Sequence, residues 1–323
     1  MSGDLDRLQS NAITFAQAQS EEEINCLGTD GQHKYKGYTF YSLQTPENLD
    51  ALQTFEVRDD DVYCVTYPKS GTHWIWEILQ LIMADGDASK TDRNLMVVAL
   101  ELTVAPSPDK IRQSTPGYKI FEKVPSPRLI PTHIPEPLCP PQWFSKKPKI
   151  IYFARNPKDV MVSFYAFAKS IIDPKLRSWD AFFEYFCSDD VPNGPWFDHV
   201  LRYWQHREKE NFLFVKYEDF HKDLKGNIIR IAEFIGKNLS DDVIESITQQ
   251  CTIAGMRKTY NKIEEDYPEK GKMFTHFLRQ ISYLRKGVVG GWKEYFSPEQ
   301  NEFFDKLYAE KMAGSGLSFD FEL

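Results

Sequence analysis

The chain has 323 residues, of which 41% are hydrophobic and 14% aromatic, a composition typical of a folded globular protein and not of a disordered one. Its formal net charge of −8 argues against a general nucleic-acid-binding protein, which would usually be basic. No apolar run approaches the roughly 20 residues that a membrane-spanning helix needs, and the acidic N-terminus lacks the apolar core of a secretory signal. The five cysteines form no CxxC pair and no zinc-ligand spacing, which indicates free thiols in a reducing, cytoplasmic compartment.

Residues 1–36 are polar and weakly patterned, and we expect them to form a leader to the folded domain. The first strong pattern begins at Val62, where five uncharged residues predict a buried strand that ends at Thr66. Pro68, Lys69, Ser70 and Gly71 interrupt that run, and an amphipathic helix follows with Thr72 as its expected N-cap. The backbone N–H groups of this turn and the helix N-terminus should converge on one point. That point favours an anion, and Lys69 adds a full positive charge to it.

Strands and helices alternate along the rest of the chain. Further strands are predicted at residues 128–130, 149–154 and 211–216, and helices at residues 46–57, 95–104, 157–167, 178–187, 196–209, 221–237, 241–250 and 298–312. The charged segment 258–273 contains Pro268 and is expected to be a mobile loop. This order predicts a single α/β domain over residues 1–323, with a mostly parallel central sheet that binds ligands at the carboxyl ends of its strands.

The candidate ligand-binding residues follow the predicted strands or lie in a late glycine-rich loop. His133 follows the short second strand, and Arg155 follows the third, with Ser163 two helical turns later. The late loop holds Arg285, Lys286 and Gly287. With the turn around Lys69, these segments supply cations, hydroxyls and backbone donors for two separated phosphate groups, with one imidazole beside them.

Three of these segments resemble those of the cytosolic sulfotransferases. YPKSGTHW at 67–74 is similar to the family's 5′-phosphosulfate-binding loop, ARNPKDVMVSFY at 154–165 to its 3′-phosphate segment, and LRKGVVGGWK at 284–293 to its C-terminal phosphate segment. The matches occur in the family's order and cover nearly the whole chain. The resemblance implies a P-loop-like domain that binds 3′-phosphoadenylyl sulfate (PAPS) as sulfuryl donor, releases adenosine 3′,5′-bisphosphate (PAP) and needs no metal.

The resemblance also assigns roles to individual residues. It implies that His133 is the general base and that Lys69 offsets charge on the leaving oxygen. The acceptor would be a small, largely apolar phenol, steroid, alcohol or aryl amine in a pocket near Tyr38, with Phe40, Phe164, Phe167 and His133 as contacts. The implied nucleotide-binding residues are Lys69, Ser70, Gly71, Thr72, His73, Trp74, Arg155, Ser163, Tyr217, Cys251, Thr252, Ile253, Met256, Arg285, Lys286 and Gly287.

The chain departs from the family pattern at four site positions. His73 replaces a threonine, Pro131 replaces a lysine two residues before the histidine, and Cys251 and Ile253 alter the adenine segment. These changes motivate one alternative, a non-catalytic relative that binds PAPS or PAP. A small-molecule kinase is a second alternative, which the absence of a GK[ST] loop disfavours. The family's short dimer motif is barely kept after Lys258, so a monomer and a homodimer both remain open.

Overall fold

A four-stranded parallel sheet forms the centre of the molecule. The computed structural model describes residues 31–91, 98–104, 115–171, 176–266 and 287–323. The strands are β1 (Gln32–Tyr35), β2 (Tyr38–Tyr41), β3 (Val62–Thr66), β4 (Thr103–Val104), β5 (Thr115–Pro116), β6 (Leu129–Thr132), β7 (Lys149–Ala154) and β8 (Phe212–Lys216). The sheet has the strand order β6-β3-β7-β8, and two antiparallel pairs, β1 with β2 and β4 with β5, lie outside it.

Helices connect these strands and cover both faces of the sheet. They are α1 (Pro46–Ala51), α2 (Thr72–Met83), α3 (Gly117–Lys123), α4 (Gln142–Ser145), α5 (Pro157–Ile171), α6 (Trp179–Phe186), α7 (Trp196–Trp204), α8 (Tyr217–Lys222), α9 (Leu224–Phe234), α10 (Asp241–Gln250), α11 (Ile253–Asp266) and α12 (Pro298–Met312). Short 3-10 turns occupy Ala88–Lys90, Glu136–Leu138 and Gly291–Glu294. No helix within the described ranges combines the length and the apolar character that spanning a membrane requires.

The register of the sheet brings the ends of four strands to one edge. Val65 of β3 pairs with Thr132 of β6, and Thr66 pairs with Phe153 of β7. Because all four strands run in parallel, the residues that follow β3, β6, β7 and β8 emerge at the same edge. That edge therefore receives the turn around Lys69 together with His133, Arg155 and Tyr217.

The two faces of the sheet bury two hydrophobic clusters. Tyr63 and Val65 of β3 pack into the first cluster, whereas Val62 and Cys64 pack into the second. This alternation follows from the two-residue period of a strand. The first cluster includes the aromatic side chains of helices α5, α6 and α7, and the second includes α2, α9 and α10. The central sheet is therefore buried on both sides, which explains the nearly continuous apolar runs of its strands.

Three sequence predictions assigned the wrong type of element. Gln32–Tyr35 forms strand β1, so the end of the predicted polar leader belongs to a hairpin. The described part of the predicted helix 95–104 is not helical, and Thr103–Val104 forms strand β4. The first half of the predicted loop 258–273 belongs to helix α11, which ends at Asp266, and the remainder lies outside the described residues.

Candidate active site

The turn between β3 and α2 has an unusual backbone. Lys69 has a φ of 71° and Gly71 a φ of 105°. A Cβ atom on Gly71 would lie 3.0 Å from Cδ2 of Tyr217 and 3.1 Å from Cε1 of Phe153. Both the conformation and the contacts therefore require glycine at this position. The result is a tight turn that sets a lysine beside the positive end of a 12-residue helix, an arrangement that favours an anion.

Thr72 has a different role from the predicted one. Gly71 is the N-cap of α2, and Thr72 is its first helical residue. The N-cap prediction was wrong because a left-handed glycine, not a side-chain oxygen, starts this helix. The Thr72 hydroxyl oxygen lies 2.7 Å from that of Thr66 at the end of β3. Thr72 therefore ties the start of the helix to the strand that precedes the turn.

Ser70 and Arg155 each have a buried polar atom without a hydrogen-bond partner among the residues that the structure describes. One is Oγ of Ser70, a fully buried residue, and the other is Nε of Arg155, which is 8% exposed. An unpaired buried polar atom costs about 1–3 kcal/mol, so such atoms in a site indicate a ligand that pairs with them. A hydroxyl and a guanidinium both suit phosphate or sulfate oxygens.

The hydrogen bonds of His133 determine which ring nitrogen carries the proton. Nδ1 lies 2.8 Å from the backbone oxygen of Thr66 and 3.0 Å from its Oγ1. A carbonyl oxygen only accepts, so we assign the proton to Nδ1. Nε2 then has the lone pair, and the half-buried imidazole can accept a proton from a molecule bound at the sheet edge.

The backbone of His133 is held on both sides by residues that the sequence did not single out. Its N–H donates to Oε1 of Glu101 at 2.9 Å, and the other carboxylate oxygen of Glu101 accepts from the Thr132 hydroxyl at 2.7 Å. The His133 carbonyl accepts from Nε2 of His199 at 3.1 Å. Glu101 is the one carboxylate in an otherwise apolar run, and that isolated charge was the available signal. Both residues are fully buried and fix the position of the imidazole.

His199 and His73 are both neutral at ordinary pH. Burial lowers the pKa of His199 to about 4, and its Nδ1 can accept from the Tyr152 hydroxyl at 2.8 Å. Burial, and then the charge of Lys69, keep the pKa of His73 well below its ordinary value. His73 therefore adds no positive charge to the turn in which it lies.

Arg155, Tyr217 and Trp74 form the part of the site where the sequence predicts a purine nucleotide. The guanidinium carbon of Arg155 lies 4.2 Å from the centroid of the Tyr217 ring. Trp74 meets Tyr217 edge to face at 5.0 Å, and its indole N–H donates to the backbone oxygen of Cys251 at 2.8 Å. The structure thus brings Arg155, which is predicted to bind a phosphate, and the predicted adenine-binding segment into one cluster.

The structure describes all but two of the other predicted nucleotide-binding residues. Met256 is buried, Ile253 is half-buried, and the exposed Thr252 caps the start of α11 by accepting from the Gly255 N–H at 3.0 Å. Ser163 is half-buried on α5. Gly287 approaches Ile253 so closely that a Cβ would lie 2.4 Å from Cδ1 of that isoleucine. Arg285 and Lys286 lie outside the described residues.

The predicted acceptor residues lie on the first-cluster side of the turn. Phe40 and Phe164 are fully buried in that cluster, whereas Phe167 is half-buried. The Lys69 ammonium lies 4.6 Å from the centroid of the Phe167 ring, and Phe164 lies 6.3 Å from Phe167. Tyr38 is half-buried and donates its hydroxyl to Asp198 at 2.9 Å. Acceptor contact by these side chains stays a prediction.

Glu218 is a buried carboxylate near Arg155, and it directly follows Tyr217 in the chain. Its Oε1 accepts from the backbone N–H of Asn156 at 2.8 Å and from the Asn156 side chain at 3.0 Å. Burial raises the pKa of Glu218 to about 7. A pKa that is raised on folding stabilises the protein fully below the unfolded value of 4.5, and this contribution is lost as pH rises through about 7.

We therefore expect Glu218→Gln to be more stable than the wild type at pH 8, by roughly 2–3 kcal/mol, with the difference disappearing near pH 5. Glutamine keeps an oxygen for Asn156 without a buried charge. Urea unfolding at both pH values measures the effect, and Glu233→Gln on the exposed face of α9 is the control. Parallel stability curves for wild type and Glu218→Gln would contradict this expectation.

Within the described residues, no group of three or more histidine, cysteine, aspartate or glutamate side chains is arranged to hold a metal ion. The chemistry of the site is instead that of cations, hydroxyls and one oriented imidazole at the end of a parallel sheet. Such a set can bind an anionic group and move a proton beside it.

Comparisons with known proteins agree on a family. The family profile described as "Sulfotransferase domain" matches residues 59–316. Sulfotransferase 1C2 of Rattus norvegicus is 36% identical over 299 residues, which covers 90% of this chain and 97% of the rat protein. Sulfotransferase 1A1 of Bos taurus is 37% identical over 281 residues, which covers 86% of this chain and 92% of the bovine protein.

Solved structures show the same fold. Mouse sulfotransferase SULT7A1 complexed with PAP has a TM-score of 0.69 at 32% identity, covering 88% of this chain and 96% of the mouse chain. Retinol dehydratase in complex with androsterone and the inactive cofactor PAP has a TM-score of 0.73, covering 94% of this chain and 97% of its own. At 24% identity the second likeness bears on the fold alone. The predicted α/β fold with a central parallel sheet is confirmed.

Proposed function

The chain belongs to the sulfotransferase family, and from that premise we propose that it transfers a sulfuryl group from PAPS to the hydroxyl or amine of a small, largely apolar acceptor. The observation that carries this proposal is the sheet edge itself. There, an anion-binding turn with Lys69 lies next to His133, whose proton is held on Nδ1 by the backbone of Thr66. An anionic donor and a proton-bearing acceptor both have a matching group at this edge.

The residues at the sheet edge suit PAPS as the sulfuryl donor. The buried Ser70 hydroxyl and the turn of Lys69 suit the phosphosulfate end, and Nε of Arg155 suits the 3′-phosphate. Trp74 and Tyr217 would contact the adenine. PAPS supplies an activated sulfuryl group, and PAP is the nucleotide product. A nucleotide complex in the mouse relative of known structure supports the same choice of ligand.

The proposed mechanism is an in-line displacement at sulfur. Nε2 of His133 accepts the proton of the acceptor hydroxyl while the acceptor oxygen forms the new S–O bond. The S–O bond to the 5′-phosphate breaks, and its electron pair remains on the phosphate oxygen. Lys69 offsets the charge that develops there, as cations do in phosphoryl transfer. Lys69 and His133 therefore act on opposite sides of the transferred group.

The acceptor side is supported by its aromatic character. Phe164, Phe167 and Phe186 lie on helices next to the turn, and aromatic walls suit phenols, steroids, alcohols and aryl amines. We also propose that the chain is one domain that works in the cytoplasm, because Cys64, Cys139 and Cys187 have free thiols.

The first test is calorimetric titration of the purified protein with PAP, with ATP as the control ligand, followed by turnover of sulfur-labelled PAPS. We expect tight PAP binding, much weaker ATP binding, and labelled product with at least one acceptor in a panel of phenols, steroids, alcohols and aryl amines. Arg155→Ala should weaken PAP binding at least tenfold, since a charge-assisted hydrogen bond contributes about 1.5–3 kcal/mol.

Each result decides between the proposed functions. PAP binding without product from any acceptor would favour a non-catalytic nucleotide-binding protein. ATP binding at least as tight as PAP binding would favour a small-molecule kinase. Absence of binding to either nucleotide would overturn the proposal.

A further inference from the structure

Asp159 is a buried carboxylate that the proposed mechanism does not use. It lies in the first turn of α5 and is 1% exposed. Oδ1 accepts from the backbone N–H of Trp292 at 3.0 Å, and Oδ2 accepts from the backbone N–H of Gly290 at 3.0 Å. One side chain thus holds a segment that lies more than 130 residues later in the chain.

The same segment is bound to Arg155. The guanidinium Nη2 of Arg155 donates to the backbone oxygen of Val288 at 3.0 Å and lies 3.6 Å from Oδ2 of Asp159. Asp159 also accepts from the Asn156 side chain at 2.9 Å. Within the described ranges, Asp159 is the carboxylate that lies within ion-pair distance of Arg155. Arg155 is therefore held through Nη2, while its buried Nε has no partner among the described residues.

The segment that starts at Gly287 also contacts the predicted adenine side of the site. Gly287 has a φ of 61° and packs directly on Ile253. Displacement of this segment would therefore change both the surroundings of Arg155 and the packing against Ile253. At its other end, the segment is held by the hydrogen bonds that the Gly290 and Trp292 N–H groups donate to Asp159.

We propose that Asp159 is a positioning residue that gives the donor site its selectivity for a 3′-phosphate. This inference rests on the proposed function, in which Arg155 binds that phosphate. The carboxylate fixes the segment 287–292 against Arg155 and holds the guanidinium by one nitrogen, so that Nε is preserved for the ligand. Loss of the carboxylate leaves the backbone N–H groups of Gly290 and Trp292 without their acceptor and Arg155 without its counter-ion.

The test compares two nucleotides that differ in the 3′-phosphate. Calorimetric titrations with PAP and with adenosine 5′-phosphate are made on wild type, Asp159→Asn and Asp159→Ala. We expect PAP binding to weaken about tenfold in Asp159→Asn and about 30-fold or more in Asp159→Ala, because one and then two N–H groups lose their acceptor. Binding of adenosine 5′-phosphate should change less than threefold in both variants.

Asp305→Asn is the matched control. Asp305 lies on α12 and accepts from Lys158, the neighbour of Asp159, at 2.5 Å, but it has no bond to the segment 287–292 among the described residues. We expect this variant to bind both nucleotides like the wild type. Thermal unfolding of all variants reports whether Asp159→Ala remains folded, and Asp159→Asn provides the readout if it does not.

Three results would overturn the inference. Equal weakening of both nucleotides would indicate a general structural role for Asp159. Unchanged PAP binding would show that the carboxylate does not position Arg155, and tighter PAP binding would show that it mainly repels the phosphate. Failure of the wild type to bind PAP is a distinct outcome, because it would overturn the proposed function before the variants are compared.

Discussion

His133→Ala is expected to lower the turnover rate about 1,000-fold while PAP binding changes less than threefold. General-base catalysis by a positioned side chain contributes about 10²–10⁴ in rate, and the imidazole has the geometry of a base through Nε2. The nucleotide should be unaffected, because the turn around Lys69 makes its own contacts with β3 through Thr72 and Thr66. Steady-state turnover of PAPS and a calorimetric titration with PAP measure the two quantities.

Acceptors of different acidity distinguish a general-base role of His133 from a structural role. 4-Nitrophenol is partly ionised near neutral pH and needs little help from a base, whereas an aliphatic alcohol keeps its proton. We expect His133→Ala to lose far less turnover with 4-nitrophenol than with an alcohol, and added imidazole to restore part of the loss. His206→Ala, which removes the imidazole paired with Glu136, is the control. An equal loss with both acceptors would contradict a base role.

Lys69→Met is expected to lower the turnover rate about 100- to 1,000-fold, the effect of removing one group that stabilises developing charge. Methionine keeps most of the aliphatic stem, so contact with Phe167 can persist while the ammonium is lost. PAP binding should weaken only about tenfold. A residue that only bound the nucleotide would stabilise the ground state and the transition state equally, so a loss of rate larger than the loss of affinity indicates a catalytic role. Single-turnover rates at saturating PAPS separate the two effects.

Lys216→Met controls for loss of positive charge at the same edge of the sheet. Lys216 ends β8 and lies 3.8 Å from Asp219, and the proposed mechanism gives it no role. We expect its turnover to remain within threefold of wild type. If Lys69→Met lost affinity for PAP but kept its single-turnover rate, Lys69 would be a binding residue and not a catalytic one.

Local sequence patterns predicted those elements whose ends have chemical signals. Helix α12 has Ser297 as N-cap, Pro298 at its first position and a reciprocal bond from Gln300, and its predicted bounds agree with the structure. Helix α10 likewise begins after Ser240, whose side chain accepts from Val243. In both cases the signal lies within four residues of the boundary.

The wrong predictions have tertiary causes. The apolar run at 95–104 predicts a helix, but Leu100 donates its backbone N–H to Pro131 at 2.9 Å and Thr103 pairs with Pro116. Non-local pairing with β6 and β5 therefore overrides the local pattern. Segment 258–273 was predicted as a loop because of its charge and Pro268, yet helical propensity extends α11 to Asp266 before that proline.

The residues of the site also fall into those that the sequence could predict and those that it could not. The groups that follow parallel strands could be predicted, because the topology brings Lys69, His133 and Arg155 to one edge whatever the details of packing. The residues that hold these groups could not. Glu101 is 32 residues from His133, and Asp159 is more than 130 residues from Trp292. Such pairings depend on how distant segments meet, and no short window of sequence records them.

The separation of the two hydrophobic clusters has an evolutionary consequence. The proposed donor contacts Trp74, Tyr217 and Met256 pack in the second cluster, whereas the proposed acceptor contacts Phe40 and Phe164 belong to the first. Substitutions in the first cluster can therefore accumulate during evolution and change which acceptors fit, without altering the contacts with the proposed donor. Among the described residues, Phe167 is the hydrophobic side chain that packs against both clusters. A substitution at Phe167 that changes the acceptor range is therefore expected to affect the proposed donor side as well.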